Sequence, residues 1–116
     1  MLDIRFCLNE GIGVFEIHGN LDYETSVKVR EVLRRAIHEA TLQGLVLDME
    51  NVGHVDSSGL GLMIATRNTC ENLQTPLALC SLQGKVFKIF KQTNLNSYFK
   101  IFDSRVSALK GVGYPG

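Results

Sequence analysis

The stretch Asp56-Ser57-Ser58-Gly59-Leu60-Gly61 limits the possible folds more than any other part of the chain. An apolar run, Leu45-Val46-Leu47-Asp48-Met49, precedes it, and a helical run, Leu62-Met63-Ile64-Ala65, follows it. A short, β-rich and nearly continuous apolar run reads as a strand covered on both faces. The order is therefore buried strand, polar turn, helix, with two hydroxyls where the helix begins. The first turn of a helix has backbone N–H groups without intrahelical partners, and the macrodipole places partial positive charge there. Asp, Ser, Thr and Asn are the residues that cap such an end. Two readings are open. In one, Asp56 or Ser57 is a plain cap and the glycines allow close packing of helix on sheet. In the other, an exposed serine accepts a phosphate beside a helix end that tolerates negative charge.

The flanking sequence supplies the rest of a fold. Leu2, Ile4, Phe6 and Leu8 alternate with Asp3, Arg5 and Cys7, the pattern of a half-buried strand. Asn9-Glu10-Gly11 reads as a turn, and Ile12, Val14 and Phe15-Glu16-Ile17 as a second strand, which makes an antiparallel hairpin. Gly19-Asn20-Leu21-Asp22 ends it, with Asp22 placed to cap the next segment and Glu24 in its first turn. Val29, Val32, Leu33, Ala36, Ile37 and Ala40 predict an amphipathic helix over about residues 23–41. Leu77 to Cys80 reads as a further buried strand. Ser81 is the expected cap of a short helix carrying Val86, Phe87, Ile89 and Phe90, and Thr93 to Ser97 is expected to be a loop. Tyr98 to Phe102 is expected as a last strand, and Asp103 as the cap of a terminal helix reaching Lys110. The chain of 116 residues is expected to form one domain over 1–110 with a flexible tail over 111–116. Two leading strands followed by helix–strand alternation predict an α/β fold with a mixed sheet.

At this point the sequence resembles a known family. Asp56 to Gly61 resembles the signature of the STAS domain, in the branch of bacterial anti-sigma factor antagonists. Gly19-Asn20-Leu21-Asp22 resembles the family's Gly-x-Leu-Asp element, and Leu45 to Met49 its central strand. Phe87-Lys88-Ile89-Phe90 through Leu95, and Phe99-Lys100-Ile101-Phe102, resemble its C-terminal pattern. The resemblance implies the STAS fold: a mixed sheet, opened by an antiparallel hairpin and continued by β–α repeats, flanked by about four helices. It implies that Ser57, directly after the Asp, is the phosphorylated residue. It implies a partner that is both anti-sigma factor and serine kinase, of the ATP-binding histidine-kinase-like fold. The unphosphorylated protein would hold this partner and free a sigma factor. Phosphorylation of Ser57 would release it, and a separate serine phosphatase would reset the switch.

On this reading Asp22 and Asp56 shape the surroundings of Ser57. Ser58 is a cap or structural hydroxyl, with an acceptor role left open, and Gly59 and Gly61 permit close approach. Leu60, Leu62 and Met63 are either part of an apolar docking surface or part of the core. The alternative is a STAS scaffold that is not phosphorylated, as in lipid-transport complexes and anion transporters.

Other classes find little support. A formal net charge of zero gives no general attraction to nucleic acid or anionic lipid. Lys85, Lys88 and Lys91 recur three apart in a C-terminal part that is richer in bases, as a solvated face or a patch for an acidic partner. Apolar runs are far short of a bilayer span, and Met1 to Arg5 does not resemble a signal peptide, so the protein is expected to be cytoplasmic. Cys7, Cys70 and Cys80 show no metal-ligand spacing and read as small buried hydrophobes. No cofactor is expected. No G-x-S-x-G surrounds either serine, and the glycines continue into neither a dinucleotide nor a phosphate loop. A cluster of Asp22, Asp48 and Asp56 at strand ends would suit a magnesium or phosphoacceptor site. Such a response-regulator-like site wants an acidic pair on the first strand and a Lys after the last one, and this chain opens with a hairpin instead. The protein is therefore expected to be no enzyme.

Overall fold

The computed structural model describes residues 2–115. Strands β1 (Asp3–Asn9) and β2 (Ile12–His18) open the chain. Helix α1 (Tyr23–Glu39), strand β3 (Gly44–Asn51), helix α2 (Ser57–Asn72) and strand β4 (Leu77–Cys80) follow. Helix α3 (Gly84–Gln92), a 3-10 turn (Leu95–Ser97), strand β5 (Ile101–Phe102) and helix α4 (Arg105–Gly111) complete it. The five strands form one sheet in chain order. β1 and β2 are antiparallel, and β2–β3, β3–β4 and β4–β5 are parallel. This is the mixed sheet that the alternation pattern predicts.

Local chemistry sets the elements. Glu10 and Gly11 both have positive φ, 50° and 85°, as a two-residue hairpin turn of the I′ kind requires. In α1, Val29, Leu33 and Ile37 recur at four-residue spacing and are buried. Along β3, Leu45, Leu47 and Met49 enter the larger core cluster with Phe15, Leu33, Met63 and Phe90. Val46, between them, enters the second cluster with Val14, Ala78, Cys80 and Ala108. Strand side chains alternate between faces, so a strand covered by α1, α2 and α3 on one side and by α4 on the other is apolar on both, with Asp48 the exception between Leu45 and Met49. Each fully buried Leu or Ile contributes about 1.5–3 kcal/mol.

Several expectations are corrected. Ser81 does not cap α3. Its φ is 61°, and its N–H donates to the Phe102 carbonyl. Gln83 occupies the cap position without a side-chain bond to the helix and donates instead to the Glu50 carbonyl. The cap of α4 is Ser104, whose Oγ accepts from the Ser107 N–H at 3.2 Å, and not Asp103. The last strand is shorter than Tyr98 to Phe102 because Tyr98 closes the 3-10 turn and Phe99 is buried edge-on against Phe90. The expected loop over residues 93–97 contains that turn. Packing also continues past Lys110, since Gly111 belongs to α4 and Val112 is buried against the position of Gly44. Cys70 and Cys80 are buried, and burial pushes both thiols up to about 11. Cys7 is exposed.

Candidate functional site

The helices α1 and α2 start side by side because the residues before them are joined. Leu21 and Val55 form an isolated parallel bridge. The Leu21 N–H donates to the His54 carbonyl at 2.9 Å, and the Asp56 N–H donates to the Leu21 carbonyl at 3.1 Å. Asp22 and Asp56, the next residues on each strand of this short ladder, are the N-caps of the two helices.

The two caps are built differently. Asp22 Oδ1 accepts from the Thr25 N–H at 2.9 Å, and Thr25 Oγ1 accepts from the Asp22 N–H at 3.0 Å. This reciprocal capping box satisfies donors on both sides. The hydrogen bond from the Thr25 backbone, with a second from its hydroxyl, holds the Asp22 carboxyl below the usual carboxylate range. Asp56 Oδ1 accepts from the Ser58 N–H at 2.9 Å and the Gly59 N–H at 3.2 Å. No side chain returns the bond to the Asp56 N–H, which goes to Leu21 instead.

Ser57 is the first residue of α2 and is exposed. Because Asp56 supplies the cap, the Ser57 hydroxyl is not needed for it. Ser58 is half-buried and lines a cleft of about 390 Å³ between α1 and α2, with Tyr23, Ser26, Val27, Arg30 and Gly61.

Gly59 behaves as a close-approach glycine. A Cβ there would meet the Leu21 carbonyl oxygen and Val55 Cγ1, each at 2.7 Å. Gly61 does not: a Cβ there meets nothing within 4 Å, and the residue is exposed. Leu62 and Met63 are 1% and 0% exposed and belong to the core, so they supply no docking surface. Leu60 is half-buried against that core.

Two features of the region escaped the sequence. Tyr23 and Val27 are 73% and 56% exposed at the rim of the cleft between α1 and α2. Their i,i+4 spacing, off the buried stripe, was the available signal. Asp48 is engaged by Arg105, and among the described residues Asp22, Asp48 and Asp56 form no cluster able to hold a metal. Asp48 is buried on the α4 side of the sheet, where Arg105 donates to its Oδ2 at 2.8 Å and 3.0 Å and to Glu16 Oε2 at 2.8 Å. The Arg105 side-chain bond lowers the Glu16 carboxyl, and the bond to Glu16, helped by Asp48, raises the Arg105 guanidinium. A lone acid within an apolar run requires such a partner. Among the described residues no group of His, Cys, Asp and Glu is arranged to hold a metal, and no helix is long and apolar enough to cross a membrane.

A sheet in chain order, an opening hairpin and two joined, Asp-capped helix starts define a small α/β domain of the STAS type. The sequence model of the STAS domain matches residues 4–108, and the chain belongs to that family. It is similar to the anti-sigma F factor antagonist of Paenibacillus polymyxa, with 28% identity over 108 residues, 93% of this chain and 92% of that protein. It is also similar to the anti-sigma-B factor antagonist of Listeria monocytogenes, with 30% identity over 102 residues, 86% of each chain. The crystal structure of an anti-sigma factor antagonist from Mycobacterium paratuberculosis has the same fold, with a TM-score of 0.88 at 19% identity over 97% of this chain and 94% of that one.

Proposed function

We propose that this protein is an anti-sigma factor antagonist, a binding protein whose hold on an anti-sigma factor is controlled by phosphorylation of Ser57. One observation carries the reading. Ser57 is exposed at the first position of α2, while Asp56 alone caps the helix. The hydroxyl can therefore be modified without loss of the cap.

The partner is a serine kinase of the ATP-binding histidine-kinase-like fold that doubles as the anti-sigma factor. In the transfer, Ser57 Oγ attacks the γ-phosphorus of the partner's ATP and the new O–P bond forms. ADP leaves, and the hydroxyl proton passes to the partner or to solvent. A serine phosphatase hydrolyses the phosphoester and resets the switch. The docking face is the end of the α1–α2 pair: Tyr23, Val27, Leu60 and Gly61 beside Ser57. Asp22 and Asp56 frame that face.

The energies suit release. A phosphoserine carries roughly −1.5 to −2 charges. A carboxylate about 6 Å away repels it by roughly 1–5 kcal/mol, according to the local dielectric and before screening. The helix N-terminus returns roughly 0.3–2 kcal/mol. The fold therefore tolerates the phosphate, while a partner that must desolvate it loses affinity. A difference of about 2–3 kcal/mol changes affinity roughly 30- to 150-fold. Release is electrostatic and steric, with no large rearrangement of the backbone.

Intact-mass analysis of the protein from its native cells, beside Ser57→Ala, tests the reading. A phosphate placed on Ser57 by tandem mass spectrometry, and absent from the variant, is the expected result. A protein that carries no phosphate in any growth state, and that binds the same partners as Ser57→Asp, would be a constitutive scaffold.

A further inference from the structure

The two edges of the sheet are unlike. β5 has two residues, both half-buried, and a very short edge strand is one way in which proteins avoid unwanted pairing. β1 has seven residues, pairs with β2 in seven consecutive positions without a bulge, and contains neither proline nor lysine. No strand of the described chain lies beyond it. Phe6 and Leu8 sit at alternating positions on it and are 41% and 54% exposed.

The hairpin determines which backbone groups are free. A two-residue turn makes its flanking residues, Asn9 and Ile12, a hydrogen-bonded pair. Bonded pairs recur at every second residue, so Cys7, Arg5 and Asp3 turn their N–H and C=O groups towards β2. Those of Ile4, Phe6 and Leu8 face outward. A second β1 approaching antiparallel can meet them only about a two-fold axis at residue 4, 5, 6 or 7. An axis at Arg5 would set Arg5 against its own copy, which is unfavourable. Axes at Phe6 or Cys7 leave the charges without opposite partners. The axis at Ile4 sets Asp3 against Arg5 twice and Leu2 against Phe6 twice. Asp3 and Arg5 already lie together on one face, 3.3 Å apart within the strand, so the edge is complementary to itself in charge.

We propose that β1 is a homodimerisation edge, pairing antiparallel with β1 of a second copy of this chain about a two-fold axis at Ile4, so that one sheet runs through both copies. The occupant is a second copy because the edge complements itself and the register follows from its own charges. The pairing is independent of the phosphorylation reading.

Sedimentation equilibrium of the full chain, from micromolar to about 1 mM, tests it. The expected result is a monomer–dimer equilibrium. Asp3→Arg places Arg opposite Arg at both ends and is expected to weaken dimerisation about tenfold. Asp3→Arg combined with Arg5→Asp restores opposite charges and is expected to recover the wild-type constant. Circular dichroism of each variant checks that the exposed substitutions leave the fold intact. A chain that stays monomeric over the whole range overturns the proposal. So does a dimer indifferent to Asp3→Arg, which would use another surface, or one that the double exchange fails to restore, which would use another register.

Discussion

The starts of α1 and α2 use the same residue for opposite ends. Both are capped by an aspartate, and both caps hang from the Leu21–Val55 bridge. At α1 the bond is returned: Thr25 closes the box, and the carboxylate and hydroxyl are both engaged. At α2 the cap is one-sided, and the next side chain, Ser57, is left exposed. A closed cap serves stability alone. An open one serves stability through Asp56 and leaves the Ser57 hydroxyl exposed one residue later, where the proposed phosphate would sit.

The contrast can be broken most severely at Gly59. Gly59→Ala places a Cβ against the Leu21 carbonyl that joins the two starts, and overpacking of this kind costs about 1–3 kcal/mol or more. Urea denaturation is expected to show a midpoint lowered accordingly. Ser57→Asp leaves the α1 side untouched and is expected to reduce affinity for the proposed anti-sigma factor partner by about 30-fold, roughly 2 kcal/mol. Isothermal calorimetry would read that loss, with a denaturation midpoint near that of the wild type. An equal loss for both Ser57→Asp and Ser57→Ala would point to a contact rather than a charge.

Asp56→Ala removes the only side-chain cap of α2 and is expected to lower stability by about 1 kcal/mol. Asp56→Asn should recover most of it. Gly61→Ala is sharper for being small. Its position is open, so the substitution is expected to be neutral or to stabilise by up to about 1 kcal/mol through helix propensity. The smallest effect is in pH. The folded-state pKa of Asp22 is depressed, so its contribution is present above the unfolded value of about 3.9 and is lost as pH falls through the folded one. Urea midpoints taken below about pH 4 should therefore fall less steeply for Asp22→Asn than for the wild type.

Much of this was legible in the sequence. Period two gave the hairpin, period 3.6 gave α1, and an unbroken apolar run gave a strand covered twice. Asp22 reads as a cap, while Asp56 shares that reading with Ser57, because both residue types cap helices and only the structure separates them. What stayed hidden depends on neighbours far away in the chain. Gly59 and Gly61 look alike in sequence, and only the position of Leu21 separates the glycine that cannot change from the one that can. Leu62 and Met63 lie in a segment apolar on all sides, so the pattern does not say which side is covered. Arg105 and Asp48 are 57 positions apart, and only the closure of α4 over the sheet brings them together. Asp103 is the expected cap of α4, and the helix starts one residue later, at Arg105 with Ser104 as its cap.

The bridge between Leu21 and Val55 has one more consequence, which concerns motion. The amide hydrogens of Leu21 and Asp56 are each held by the opposite segment, so neither segment can fray alone. Their exchange with solvent deuterium should share one opening event. The segment that leads into Ser57 is then half of a rigid pair, and any partner approaching this end meets both helix starts as a single body.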